Sequence, residues 1–226
     1  MTYKVLISAP YMIPFIDEYR PLLESRGCEV VVAEVEERLN VQQLLPLVGD
    51  IHGTICGDDH WTDEVMAAAP NLKVISKWGT GIDSIDQKAA KARGIAVRNV
   101  PNAFSEPLAD TIFGWMLLFA RRLPEQIELM RAGGWEKIPG HTLAEATLGI
   151  VGVGDVGKAV IRRAQAFGMS ILATDIAAVD PDFVRQYQVK MVSLDELLSE
   201  SDYVSLNCDL NPTSLHLIRA ETLALM

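Results

Sequence analysis

What this sequence is short of narrows it before any motif is read. Only three of its 226 residues are cysteine, Cys28, Cys56 and Cys208, odd in number and far apart. They build no disulfide framework and no Cys-x-x-Cys pair, so a reducing cytoplasm is the expected compartment. Long apolar runs are also missing. The longest, Thr111 to Ala120, falls well short of the roughly 20 residues needed to span a bilayer, and Arg121 and Arg122 close it. The apolar part of the opening Met1–Ser8 stretch is too short for a secretory signal, and no membrane partner is expected. Positive charge is scarce as well: 20 Lys and Arg stand against 30 Asp and Glu, for a formal net charge of −10. Phosphate backbones are held by clustered cations, so no nucleic-acid partner is expected. A locally basic seat for a small anion stays compatible with that balance. What the chain does have is apolar material, 49% hydrophobic against 22% charged residues. That suits a full core and excludes a disordered or fibrous chain.

Along the first hundred residues, short β-like runs alternate with amphipathic stretches. Strands are predicted at 4–8, 29–33, 51–56, 73–77 and 95–98, and helices near 17–26, 40–48, 62–69 and 86–93. Gly27 and Gly94 stand where helix C-caps belong, each just before a strand. This rhythm predicts a parallel sheet covered on both faces. A second unit begins near residue 101, behind Pro101 and Pro107. A long helix is predicted from about Ser105 to Arg122, then a helical piece from Pro124 to Arg131 and a looser segment from Ala132 to Glu145. Trp115, Met116, Leu117, Leu118 and Phe119 make the long helix apolar nearly all round, which predicts its burial, partly against a second subunit. Strands at 147–151, 170–174, 189–192 and 203–207 follow, with helices at 158–167, 193–199 and near 220–226. The chain reads as two α/β domains with parallel sheets, residues 1–100 and 101–226, and a cofactor cleft between them.

The most specific local signal is Gly152-Val153-Gly154-Asp155-Val156-Gly157, set between an apolar strand candidate and a helix candidate. In that context the first glycine permits a tight turn, the second lets a pyrophosphate approach the backbone, and the third lets helix and strand pack closely. The helix N-terminus offers free N–H groups and a partial positive charge. Gly152, Gly154, Asp155, Val156 and Gly157 are therefore candidate dinucleotide contacts, Asp155 through its N–H with the carboxylate turned outward. Asp175 ends the next apolar run, where an acid is expected to accept hydrogen bonds from the adenosine ribose. Its charge would repel a 2′-phosphate, and no Arg follows in Ile176-Ala177-Ala178, so NAD is the expected cofactor. Asp58, Asp59 and His60, with Asp63 and Glu64, form an acidic cluster at a helix entrance. Such clusters cap helices and solvate, and no metal is expected.

Three further segments carry a resemblance. Lys77-Trp78-Gly79-Thr80-Gly81-Ile82-Asp83-Ser84-Ile85-Asp86, the stretch from Asn99 to Thr111, and the stretch from Asp202 to Leu210 resemble, in order, segments of the D-2-hydroxyacid dehydrogenases. The branch they are most similar to is the phosphoglycerate-dehydrogenase-like one. The resemblance implies a flavodoxin-like substrate domain and a Rossmann NAD-binding domain, here incomplete at its C-terminus. It also implies hydride transfer between the nicotinamide and C2 of a small 2-hydroxy or 2-keto acid of glyoxylate, hydroxypyruvate or 3-phosphoglycerate type, and a homodimer formed through the NAD-binding domain. Gly79, Thr80 and Gly81 would meet the substrate carboxylate with backbone N–H groups. Lys77 would supply a cation for a second anionic group, with a surface lysine as the plain alternative. Thr111 would lie near the nicotinamide and Cys208 would line the adenine pocket. Asp110 and Asp209 depart from the family's usual Glu and Pro. The family's Arg, Glu and His, which hold and protonate the substrate, fall past Met226 in its order, and none of the four histidines here matches them. No catalytic residue is therefore assigned in this chain, and the 226 residues alone are expected to be inactive. An NAD-sensing binding protein or corepressor on the same fold, or a truncated gene product that only binds cofactor, is the alternative.

Overall fold

Apolar runs of four to six residues cannot close helical faces, but they can be buried on both sides of a sheet. In the computed structural model, which describes residues 2–226, they do so in two separate units, the first ending at Ala103 and the second spanning Phe104–Met226. The unit boundary thus lies three residues beyond the one read from the prolines.

The first unit alternates β1 (Tyr3–Ser8), α1 (Ile16–Ser25), β2 (Cys28–Val32), α2 (Val41–Leu44), β3 (Gly53–Cys56), α3 (Asp63–Ala67), β4 (Val74–Lys77), α4 (Gln87–Ala92) and β5 (Ala96–Arg98). All four pairings are parallel, in the order β2-β1-β3-β4-β5. That is the doubly wound, flavodoxin-like order, whose strand sequence reverses between β1 and β3. Successive residues of β1 serve opposite faces: Leu6 joins the core with Leu44, Trp61 and Ile75, while Ile7 joins Met12 and Ile16. The helices start where side chains supply acceptors for free N–H groups. Thr62 caps α3 by accepting from Val65 N, and Asp86 caps α4 by accepting from Ala89 N. The cap of α3 is thus the threonine, and not one of the acids clustered around it.

The second unit contains α5 (Ser105–Ala120), α6 (Leu123–Arg131), β6 (Thr147–Val151), α7 (Asp155–Ala166), β7 (Ser170–Thr174), α8 (Pro181–Gln186), β8 (Lys190–Met191), α9 (Leu194–Glu200), β9 (Tyr203–Leu206) and α10 (Ala220–Leu223). Its sheet is parallel, ordered β8-β7-β6-β9, as in the first strands of a Rossmann fold. Helix α5 lies on α7 through Ala109, Phe113 and Met116, and Phe113 stacks on Phe167 with centroids 5.0 Å apart. Glu106 and Asp110 add ion pairs to Arg162 and Arg163. Exposed pairs are screened by water, whereas burying one Phe side chain contributes roughly 2 kcal/mol, so the apolar contacts hold this pair of helices together.

Three elements add detail to the sequence reading. Helix α5 is not covered all round: Trp115 is 58% and Phe119 67% exposed. One face of α5 meets α7 and the other carries apolar side chains without cover in this chain. Helix α8 escaped the sequence reading because its six residues, begun by Pro181 and capped by Asp180, are too short to show a period. The strand expected at 189–192 pairs only through Lys190 and Met191. No helix among the described residues is long and apolar enough to cross a membrane.

Candidate functional site

The turn after β6 gives its three glycines three different tasks. Gly152 has φ +92°, and a Cβ there would lie 2.9 Å from the carbonyl carbon of Asn207 and from Cys208 N. Both the left-handed backbone and the crowding demand glycine. Gly157 sits in the first turn of α7, where a Cβ would run into the carbonyl oxygen of Gly152 and reach 3.4 Å from Ile150 Cγ2. Gly154, the N-cap of α7, is exposed, and a Cβ built on it would meet nothing within 4 Å. Crowding and φ therefore explain the outer two glycines, while the middle one faces open space. Helix α7 begins at Asp155, three residues earlier than its apolar periodicity indicated, which puts Asp155, Val156 and Gly157 in its first turn. Their N–H groups have no acceptor within the helix and carry the positive end of its dipole.

Asp175 follows the last residue of β7. Its Oδ2 accepts from Val153 N at 2.6 Å and its Oδ1 from Ala177 N at 2.8 Å. The carboxylate thus ties the glycine turn to the end of the neighbouring strand, and each oxygen keeps a further lone pair. Beside it opens a cavity of about 300 Å³, lined by Gly152, Gly154, Asp175, Ile176, Asn207 and Cys208, with Asn211, Thr213, Ser214 and Leu217. The structure brings the glycine turn, Asp175 and Cys208 together. It leaves Thr111 outside that lining: its hydroxyl donates back to the Pro107 carbonyl at 2.9 Å on the exposed side of α5. The sequence reading missed the segment from Asn211 to Leu217. Its signal was the Asn-Pro pair, a turn former: Asn211 Oδ1 accepts from Thr213 N at 2.8 Å, and the Ser214 hydroxyl donates to the Asp209 carbonyl at 2.6 Å. The donor set, the open face at Gly154 and the acid at the strand end fit a dinucleotide.

In the first unit, the carboxyl ends of β1, β3 and β4 place Ser8, Cys56 and Lys77 side by side in register. Lys77 is buried, 4% exposed, and its ammonium pairs with Asp58, so it is not a surface lysine. The loop after it is pinned: Val100 N donates to the Gly79 carbonyl at 2.9 Å, the Thr80 hydroxyl to the Val100 carbonyl at 3.1 Å, and Asn99 Nδ2 to the Thr80 carbonyl at 2.6 Å. A Cβ on Gly79 would stand 3.1 Å from Lys77 Cε, and one on Gly81 3.1 Å from Asp83 Oδ1.

The acidic cluster is dispersed by the fold. Asp58 turns to Lys77, Asp63 pairs with Arg93 at 2.8 Å, and Asp59 is fully buried. Asp59 accepts from the Ser8 hydroxyl at 2.6 Å and from Leu39 N at 2.7 Å. Burial raises its pKa against the opposing pull of those bonds. Burial likewise pushes the Cys56 thiol up to about 12, which removes it as a nucleophile near neutral pH. Among the described residues, no group of three or more His, Cys, Asp or Glu side chains is placed to hold a metal ion. His52 lies at the opposite end of the sheet, accepting from Lys4 N through Nδ1.

Residues 113–226 match the family model described as the NAD binding domain of D-isomer specific 2-hydroxyacid dehydrogenases. Hydroxypyruvate reductase of Thermotoga maritima is 34% identical over 215 residues, which cover 94% of this chain and 68% of that protein. D-3-phosphoglycerate dehydrogenase of Methanocaldococcus jannaschii is 34% identical over 88% of this chain and 38% of its own length. The crystal structure of Aquifex aeolicus D-lactate dehydrogenase, complexed with NAD and lactic acid, superposes with a TM-score of 0.86 at 26% identity, covering 99% of this chain and 66% of that one. The chain thus spans between about two fifths and two thirds of the length of these relatives. Its second unit carries the NAD-binding fold that the glycine turn and Asp175 had indicated, and the chain belongs to the D-isomer specific 2-hydroxyacid dehydrogenase family.

Proposed function

We propose that this protein serves hydride transfer between NAD and C2 of a small D-2-hydroxy or 2-keto acid, in a reducing cytoplasm. The observation that carries the reading is Gly154: of the three glycines in the turn, it alone has neither a positive φ nor a neighbour that excludes a side chain. A bare backbone facing open space at a helix N-terminus is what a pyrophosphate requires. In this reading the N–H groups of Asp155, Val156 and Gly157 hold the phosphates, beside the close turn at Gly152. Asp175 takes the adenosine ribose with its remaining lone pairs, and Cys208 borders the adenine. Thr111 stands toward the nicotinamide end. When bound, NAD supplies the hydride acceptor. In the first unit, backbone N–H groups of Gly79, Thr80 and Gly81 seat the substrate carboxylate, with Lys77 as the neighbouring cation.

Titration of the chain with NAD and NADP, followed by calorimetry, tests this. Asp175→Asn keeps an acceptor for Val153 N but removes the charge. It should weaken NAD and narrow its advantage over NADP roughly tenfold. An unchanged preference would remove the ribose role. The exposed Trp115 and Phe119 of α5, with Trp135 at 84% exposure, support a homodimer formed through this unit. Sedimentation of Trp115→Asp should then show a lighter species than the unsubstituted chain, and equal masses would refute it.

A further inference from the structure

We propose that Asp58 sets the substrate class of the acid-binding loop, admitting small monoanionic acids and turning away those with a second, phosphate-type anion. The inference rests on the reading of Gly79–Gly81 as the carboxylate seat. Ser8, Cys56 and Lys77 are cross-strand partners at the carboxyl ends of their strands, so their side chains share one face of the sheet. Ser76 and Arg98 are partners one residue back and serve the other face, where the Arg98 guanidinium donates to the Val97 carbonyl at 2.9 Å. Lys77 is thus the basic side chain that this row brings beside the glycine loop.

That cation is already matched. The Lys77 side chain is 5% exposed and contacts the carboxylate of Asp58, itself 72% exposed. Asp83 Oδ1 stands against Gly81 in the same loop. A carboxylate taken up by backbone N–H groups leaves the Lys77–Asp58 pair intact. A phosphate on the same substrate would have to displace Asp58 from a buried ammonium and remain beside its carboxylate, a like-charge arrangement that disfavours binding. An exposed acid that neutralises the buried cation next to the seat therefore works as a filter.

The test is calorimetric binding of hydroxypyruvate and of its phosphate ester to the full chain, with oxidised NAD present so that no turnover occurs. The unsubstituted protein should favour hydroxypyruvate at least about tenfold. Asp58→Asn, an exposed and near-isosteric change whose folding is checked by thermal melting, should raise affinity for the ester roughly tenfold and alter hydroxypyruvate less. Adding Lys77→Gln should erase that gain. Equal binding of the two acids by the unsubstituted protein would overturn the proposal. So would an Asp58→Asn protein that binds hydroxypyruvate and shows no gain for the ester. If NAD binds but hydroxypyruvate binds to neither protein, the carboxylate seat itself is wrong and the filter falls with it.

Discussion

The two glycine turns, Gly79–Gly81 and Gly152–Gly157, stand at the carboxyl ends of two parallel sheets and use glycine for different reasons. The second leads straight into the twelve-residue helix α7, with one glycine at φ +92° and another pressed on a backbone carbonyl. The first leads into a loop before α4, and neither of its glycines has a positive φ. A Cβ there would meet the middle of a lysine side chain or an aspartate oxygen, both of which can shift. One turn is glycine-rich because the fold demands it. The other is glycine-rich where the fold would tolerate more, which supports the proposed ligand seat. Gly154, inside the first kind of turn, is of the second kind.

Alanine separates these cases. Gly157→Ala should be the most damaging, destabilising by about 3 kcal/mol because its Cβ meets a backbone oxygen, and it should abolish NAD binding. Gly154→Ala should leave the melting temperature within a degree or two, about the effect of a few tenths of a kcal/mol, yet weaken NAD about tenfold or more, since the new methyl stands in the open face. Equal loss of stability from the two would erase the distinction. Gly79→Ala should cost less than about 1 kcal/mol and lower affinity for the keto acid while sparing NAD.

The smallest effect expected concerns pH, and it has opposite signs in the two units. Burial raises the pKa of Asp59 in the first unit, so folding favours its protonated form. Its contribution therefore declines as pH rises from the unfolded value near 3.8 toward the folded one. Hydrogen bonds from Arg163 and Arg162 lower the pKa of Glu106 in the second unit, so its contribution is present above the ordinary glutamate value of 4.5 and is lost as pH falls below it. Melting temperatures of Asp59→Asn and Glu106→Gln, each compared with the unsubstituted protein between pH 3 and 7, should diverge in opposite directions. Parallel shifts would contradict the assignment.

Much of this was legible beforehand because it depends on neighbours in sequence. The helices of seven residues or more, the strands of four or more, the caps at Gly27 and Gly94 and the strand–glycine–helix unit follow from local periodicity and turn chemistry. For Lys77 the spacing left a surface lysine open as the alternative, and burial beside Asp58, from the loop after the neighbouring strand, removes that alternative. Asp175 had a second role that no spacing announces, the bond to Val153 N. Asn211 to Leu217 carried a turn signal but no indication that the turn would close over the glycines. Helix α8 was too short to show a period.

The sequence by itself determined the class: two parallel α/β units, a strand–glycine–helix turn of the NAD-binding kind with an acid at the end of the next strand, and a second glycine loop after β4. Those are patterns of residue type at short spacing, and backbone sterics read them directly. The tertiary structure decided which glycine faces open space, which face of α5 lies bare, and that Asp58 pairs with Lys77. These depend on what lies across a sheet or beyond a loop, 19 residues away for Asp58 and Lys77 and 22 for Asp175 and Val153. Charge pairing and close packing act through space, and spacing along the chain does not encode them.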